Sequence, residues 1–197
     1  MREPNFKKNL YWNEIINENA EAYWKGRIEL ERQGFIIQAV VVDGRRCLKS
    51  VFLDLPIQMC HFHQIAIVTR YLTRNPKLEA GKELRKISLS LTKSNEKEFT
   101  TLLNNWFEKW EEFLKEKTIN FETGKWFYTH KRLRSTHRSL KTNLPYLFTY
   151  QKYPKLNIPN TTNSLDGSFS NFKSLLRIHR GLTRTRRYKV ICEILEK

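Results

Sequence analysis

The chain contains only three aspartates, Asp43, Asp54 and Asp166, and two of them stand where chemistry can be built. Asp43 closes the apolar run Ile36-Ile37-Gln38-Ala39-Val40-Val41-Val42 and opens Gly44-Arg45-Arg46. β-Branched valines in series favour a buried strand, and ligands collect at the carboxyl ends of strands in open α/β sheets. A carboxylate there, followed by a glycine that can bend the backbone and by two cations, suits a metal-assisted reaction on a polyanion. Asp166 lies in Thr161-Thr162-Asn163-Ser164-Leu165-Asp166-Gly167, at the start of the last long helical pattern. Asn163 and Asp166 have capping-box spacing, and an acid in a first turn suits the helix dipole, so capping alone accounts for the spacing. The same face runs on through Ser170, Lys173 and Arg177, backed by Leu165, Phe169, Phe172 and Leu176. That arrangement also suits a phosphodiester held over a metal. Such cleavage needs converging carboxylates: magnesium takes oxygen ligands and keeps waters, and paired ions about 3.5–4 Å apart clamp the attacking and leaving oxygens. Asp54, beside Leu55-Pro56, reads as a turn residue.

Cys60-His61-Phe62-His63 is the second constellation. A C-x-x-H unit supplies two zinc ligands where a structural site takes four. His130, His137, His179, Cys47 and Cys192 add no second close pair. Zinc is therefore not expected; Cys60 reads as the end of a buried strand and His63 as the start of the next helix.

The elements that must position these groups follow from periodicity. Helical spacing runs from Asn19 to Arg32 and stops at Gly34; a strand is expected over Phe35–Val42 and a second over Ile57–Cys60. Helices are expected from Phe62 to Leu72, from Leu78 to Leu91 and from Phe99 to Leu114. The last carries Phe99, Leu103, Trp106, Phe107 and Trp110, an aromatic stripe that core packing explains better than base stacking. Residues 126–150 are aromatic and basic and read as helix as far as Asn143-Leu144-Pro145; Gln151 to Thr162 reads as a loop, Asn163 to about His179 as a helix, and Val190 to Leu195 as a short one. Helices and strands in alternation predict an α/β sheet with crossover connections.

Composition names the partner class. Lys plus Arg is 36 against 20 Asp plus Glu, a formal charge of +16, which favours phosphates and above all nucleic acid. Two runs carry the charge: Lys131, Arg132, Arg134, His137, Arg138 and Lys141, then His179, Arg180, Arg184, Arg186 and Arg187. With 197 residues, 40% hydrophobic and 13% aromatic, the chain can bury a core. Three scattered cysteines make no disulfide framework and point to a reducing compartment. Met1 to Lys25 is polar and no apolar run nears about 18 residues, so no membrane partner and a cytoplasmic location are expected.

Val42-Asp43-Gly44-Arg45-Arg46-Cys47-Leu48-Lys49-Ser50-Val51-Phe52 and Gln58-Met59-Cys60-His61-Phe62-His63-Gln64 resemble the second-aspartate and C-x-x-H segments of Mutator-like bacterial insertion-sequence transposases. Thr161 to Phe169 and Arg177-Ile178-His179-Arg180-Gly181-Leu182 resemble the third-acid region and its basic continuation. The resemblance implies a ribonuclease-H-like core, incomplete at its N-terminus, split between residues 1–77 and 151–197 and interrupted by an all-helical insertion over 78–150. It implies metal-dependent DNA cleavage and strand transfer, with Asp43 and Asp166 as catalytic acids and ligands of Mg2+ (or Mn2+), and Cys60 and His63 as the C-x-x-H pair. The DNA contacts would be Arg45, Arg46, Lys173, Arg177, His179, Arg180, Arg184, Arg186 and Arg187, with Lys131, Arg132, Arg134 and Arg138 on the insertion. Partners would be transposon ends and target DNA, in a homo-oligomer or a mixed oligomer with an intact transposase, on the bacterial nucleoid. No aspartate precedes Asp43, and Cys47 and Leu53 replace an expected small residue and proline. A chain with two acids is expected to be inactive alone. The alternative is a non-catalytic DNA-binding fragment that interferes with an intact transposase.

Overall fold

The computed structural model describes residues 1–178 and 181–195, with the Arg46 side chain left out. Along the chain run a small antiparallel hairpin, β1 (Arg2–Glu3) and β2 (Lys8–Asn9), then α1 (Ala20–Arg32), β3 (Val40–Val42), α2 (Arg46–Val51), β4 (Ile57–Met59) and α3 (His61–Leu72). There follow α4 (Glu79–Ser90), α5 (Glu96–Lys115), the strands β5 (Lys117–Ile119) and β6 (Trp126–Tyr128), α6 (Lys131–Leu147) and α7 (Thr149–Lys152). A 3-10 turn at Pro154–Leu156 leads to α8 (Asn163–Ile178) and α9 (Arg184–Leu195). The protein is mixed α/β and mostly helical, with three two-stranded sheets among the described residues. None of the described helices is long and apolar enough to cross a membrane.

The valine run becomes a strand only at its end. β3 pairs in parallel with β4, Val40 opposite Ile57 and Val42 opposite Met59, and the expected strand over residues 35–39 does not form. Among the described residues nothing pairs with that segment, and Ile36 is 88% exposed. Parallel sheets occur where both faces are covered, and before Val40 only Ile37 packs against the core while Phe35 and Ile36 are exposed.

One core joins β4 and α3 to α4, α5 and α6: Met59, Val68, Leu84, Phe99, Leu103, Trp106, Leu140 and Phe148 pack in one cluster. In the α5 stripe Phe99, Leu103 and Trp106 are buried, with Phe107 and Trp110 half-buried against the same core. An Asn95–Glu98 capping box starts that helix, and the Trp106 indole N–H donates to the Ala80 carbonyl at 2.9 Å. A second core, Val42, Leu48, Val51, Phe52 and Ile57, sits under α1 and α2. Helix α6 runs two residues beyond Pro145 because its last carbonyl is held: Gln58 Nε2 and His61 Nε2 donate to the Leu147 oxygen at 2.9 and 2.6 Å.

The segment 78–150 is not all helical. Residues 117–128 form the antiparallel β5–β6 hairpin, where sequence periodicity read helix from Trp126. Asn120 closes its turn, its side-chain oxygen accepting from Glu122 and Thr123 N–H, with Gly124 at φ +64°. Thr118, Ile119, Trp126, Phe127 and Tyr128 then supply five β-formers on the two arms.

Candidate functional site

The carboxyl ends of β3 and β4 lie side by side, because the Cys60 N–H donates to the Val42 carbonyl at 2.8 Å. Asp43 therefore follows β3 beside the start of the Cys60–His63 unit. The loop before α8 is bound to the same edge: the His61 N–H donates to the Asn160 carbonyl at 2.9 Å. Two residues on, Thr162 meets three side chains. Its backbone N–H and Oγ1 each lie 3.3 Å from Cys60 Sγ, Oγ1 lies 3.3 Å from His63 Nδ1, and Oγ1 reaches Asp166 Oδ2 at 2.8 Å. A threonine hydroxyl has one proton and two lone pairs. The shortest contact, to a carboxylate, takes the proton, so Oγ1 accepts from whichever of His63 Nδ1 and Cys60 Sγ carries one.

Folding thus brings together segments around residues 43, 60–63 and 162–166, and Asp43, Cys60, His63 and Asp166 share one end of the small sheet. Thr162 is the residue that sequence reasoning missed. A threonine immediately before a helix was its only signal. The capping register also moves: Leu165 and Asp166 N–H bond to the Thr162 carbonyl, so Asp166 turns back to Thr162 rather than to Asn163.

Asp43 is half-buried and held by its own neighbours. Arg45 N–H donates to Oδ1 at 3.1 Å, and Arg45 Nε lies 3.3 Å from Oδ2. The Arg45 guanidinium also pairs with Glu18, which accepts from the Tyr23 hydroxyl; burial and then Glu18 push that phenol up. The Arg45 side chain, still half exposed, is thus paired with two carboxylates. Among the described residues no group of three or more His, Cys, Asp or Glu side chains is arranged to hold a metal ion. Asp43 faces the Arg45 guanidinium and Asp166 the Thr162 hydroxyl.

The basic residues divide. Lys131, Arg132 and Arg138 on α6, Lys173 and Arg177 on α8, and Arg184, Arg186 and Arg187 on α9 are exposed. Arg134 is not free, since its Nη1 donates to the Leu114 carbonyl at 3.0 Å and its guanidinium lies 3.7 Å from the Tyr128 ring centre. His137 leaves the basic run altogether and is buried between Trp106 and Phe107. His179, Arg180 and the Arg46 side chain lie outside the described residues. The expected apolar seam of α8 is not buried: Phe169 is 46% exposed, and no α8 residue is fully covered. The helix is held at its N-terminal end instead, where Arg2 Nε donates to Ser164 Oγ at 3.1 Å.

Comparison with known families, curated proteins and solved structures finds no match to this chain.

Proposed function

We propose that the chain is a DNA-binding part of a transposase-type catalytic core, of the kind found in Mutator-like bacterial insertion sequences. Asp43 and Asp166 would be two of its acids, and the fold around them would be a ribonuclease-H-like core. One observation carries the reading. Thr162 bonds to Cys60, His63 and Asp166 together, at the end of a parallel strand pair whose other member leads into Asp43. An acid at a strand end beside a second on the neighbouring helix suits phosphodiester chemistry, and a charge of +16 suits its substrate. Such an enzyme would use Mg2+ or Mn2+ on transposon ends and target DNA.

A second reading is a non-catalytic DNA-binding protein that joins or interferes with an intact transposase. The Arg45 guanidinium on Asp43 favours it, because a carboxylate neutralised by its own chain is a poor metal ligand.

The test uses the purified full chain. Fluorescence anisotropy follows duplex DNA binding from roughly 50 to 200 mM salt, a range over which phosphate-driven binding collapses. The same samples with Mg2+ or Mn2+ are run on denaturing gels. Nicking or joining that disappears in Asp43→Asn and in Asp166→Asn supports the catalytic reading. Salt-dependent binding without nicking favours the second. No binding at the lowest salt overturns both.

A further inference from the structure

The β5–β6 hairpin carries exposed aromatic rings away from both cores. Phe121, at its turn, is 98% exposed, and Trp126 is 56% exposed with Ile119 directly opposite on β5. Neither ring belongs to a hydrophobic cluster of the fold. Trp126 and Ile119 form one exposed apolar pair with Phe121 exposed at the turn beyond it, and exposed apolar surface of this kind marks a contact site.

The cations around the rings say what the contact is. Lys117 Nζ lies 4.0 Å from the Trp126 ring centre and Lys131 Nζ 5.5 Å from that of Phe127. Lys117, Lys125, Lys131 and Arg132 are exposed along the hairpin and the helix it leads into. Of the two acids in this stretch, Glu116 is paired with His130, leaving Glu122 at the turn. An apolar protein groove would have to bury these ammonium groups, whereas a nucleic-acid strand takes both parts: phosphates meet the cations and flat bases meet the rings. In a duplex the base faces are hidden in the stack, so bare rings select a strand whose bases are open.

We propose that the hairpin, through Phe121 and Trp126 with Lys117 and Lys125 beside them, is a binding site for single-stranded nucleic acid. The inference shares with the proposed function only the class of partner. It requires neither metal nor either aspartate.

The test compares a fluorescein-labelled DNA single strand with its blunt duplex, by anisotropy at low salt without divalent metal. A copy of the strand carrying 2-aminopurine reports stacking by quenching. The variants are Phe121→Ala and Trp126→Ala, with thermal melting to confirm that both remain folded; Phe121 is so exposed that truncating it leaves the cores untouched. The expected result is tighter binding of the single strand, quenched 2-aminopurine, and a loss of roughly tenfold in single-strand affinity for Phe121→Ala. Unchanged single-strand binding and quenching in both variants would overturn the site, as would a wild-type preference for duplex. Duplex binding alongside single-strand binding that the variants leave unchanged keeps the proposed function standing while this inference falls. Failure to bind any DNA removes both.

Discussion

The Thr162 hydroxyl donates to Asp166 Oδ2 at 2.8 Å while the Thr162 backbone N–H donates to the Cys60 thiol at 3.3 Å. One residue so joins the first turn of α8 to the carboxyl end of β4. Because α8 has no fully buried residue of its own, this junction and the Arg2 contacts, rather than core packing, set where Asp166 stands.

Replacing Thr162 by valine keeps its volume and removes the hydroxyl. The Asp166 carboxylate then loses its donor and His63 Nδ1 its partner, a cost of about 1–2 kcal/mol in a half-buried site. Thr162→Ser restores the hydroxyl and most of that stability. Urea unfolding of the two variants checks the difference; equal midpoints would mean that the hydroxyl contributes nothing.

Two histidines give the protein a pH dependence of defined sign. Burial, with the nearby Lys141 charge, pushes His137 down to about 4, and burial pushes His61 below its usual range against the pull of its bond to the Leu147 carbonyl. Both are then neutral in the fold below the pH, about 6.5, at which the unfolded chain starts to take up protons. The unfolded state binds more protons there, so stability is complete above about pH 6.5 and is lost as pH falls towards 4. For His137 the loss reaches about 2 kcal/mol by about pH 5. His137→Phe keeps a ring between Trp106 and Phe107 and should flatten the profile. A profile as steep as the parent's would assign the effect elsewhere.

How far the sequence revealed all this depended on the length of each pattern. Helix α5 spans 20 residues, enough turns for Phe99, Leu103 and Trp106 to declare a face, and its packing was readable. The β5 and β6 arms are three residues each, too short for alternation to separate them from the helix that follows, so the hairpin was missed with its aromatic tip. His137 looked cationic beside Arg138, but its place in the helical period puts it on the side of Leu133 and Leu140, which is the core side. Asp43 and Asp166 could be picked out as residue types in the right local settings. The placing of their two segments at one end of the β3–β4 pair depends on Thr162 and on the Cys60–Val42 bond, contacts between distant segments that no local spacing encodes.

Gly44 tests the turn that carries Asp43. Its φ is +94°, and a Cβ there would lie 2.5 Å from Met59 Cε and 2.8 Å from Sδ. The backbone term alone costs roughly 1–3 kcal/mol for a non-glycine residue, and the flexible Met59 side chain must also move within a filled core. Gly44→Ala should therefore destabilise the fold by about 2 kcal/mol or more. Thermal unfolding reads it, and a melting point equal to the parent's would show that the turn adopts a different conformation.

The exposed cations of α9 should act on DNA as independent phosphate contacts. Arg184, Arg186 and Arg187 are all exposed on that helix, and each phosphate neutralised adds about 0.9 to the slope of log affinity against log salt. Replacing all three with alanine should weaken duplex binding at low salt and make the slope shallower by about 2–3. Arg45→Ala should leave the slope nearly unchanged, because that guanidinium is already spent on Asp43 and Glu18. A slope that moved with Arg45 and not with the α9 arginines would shift the DNA path from the C-terminal helix to the edge beside Asp43.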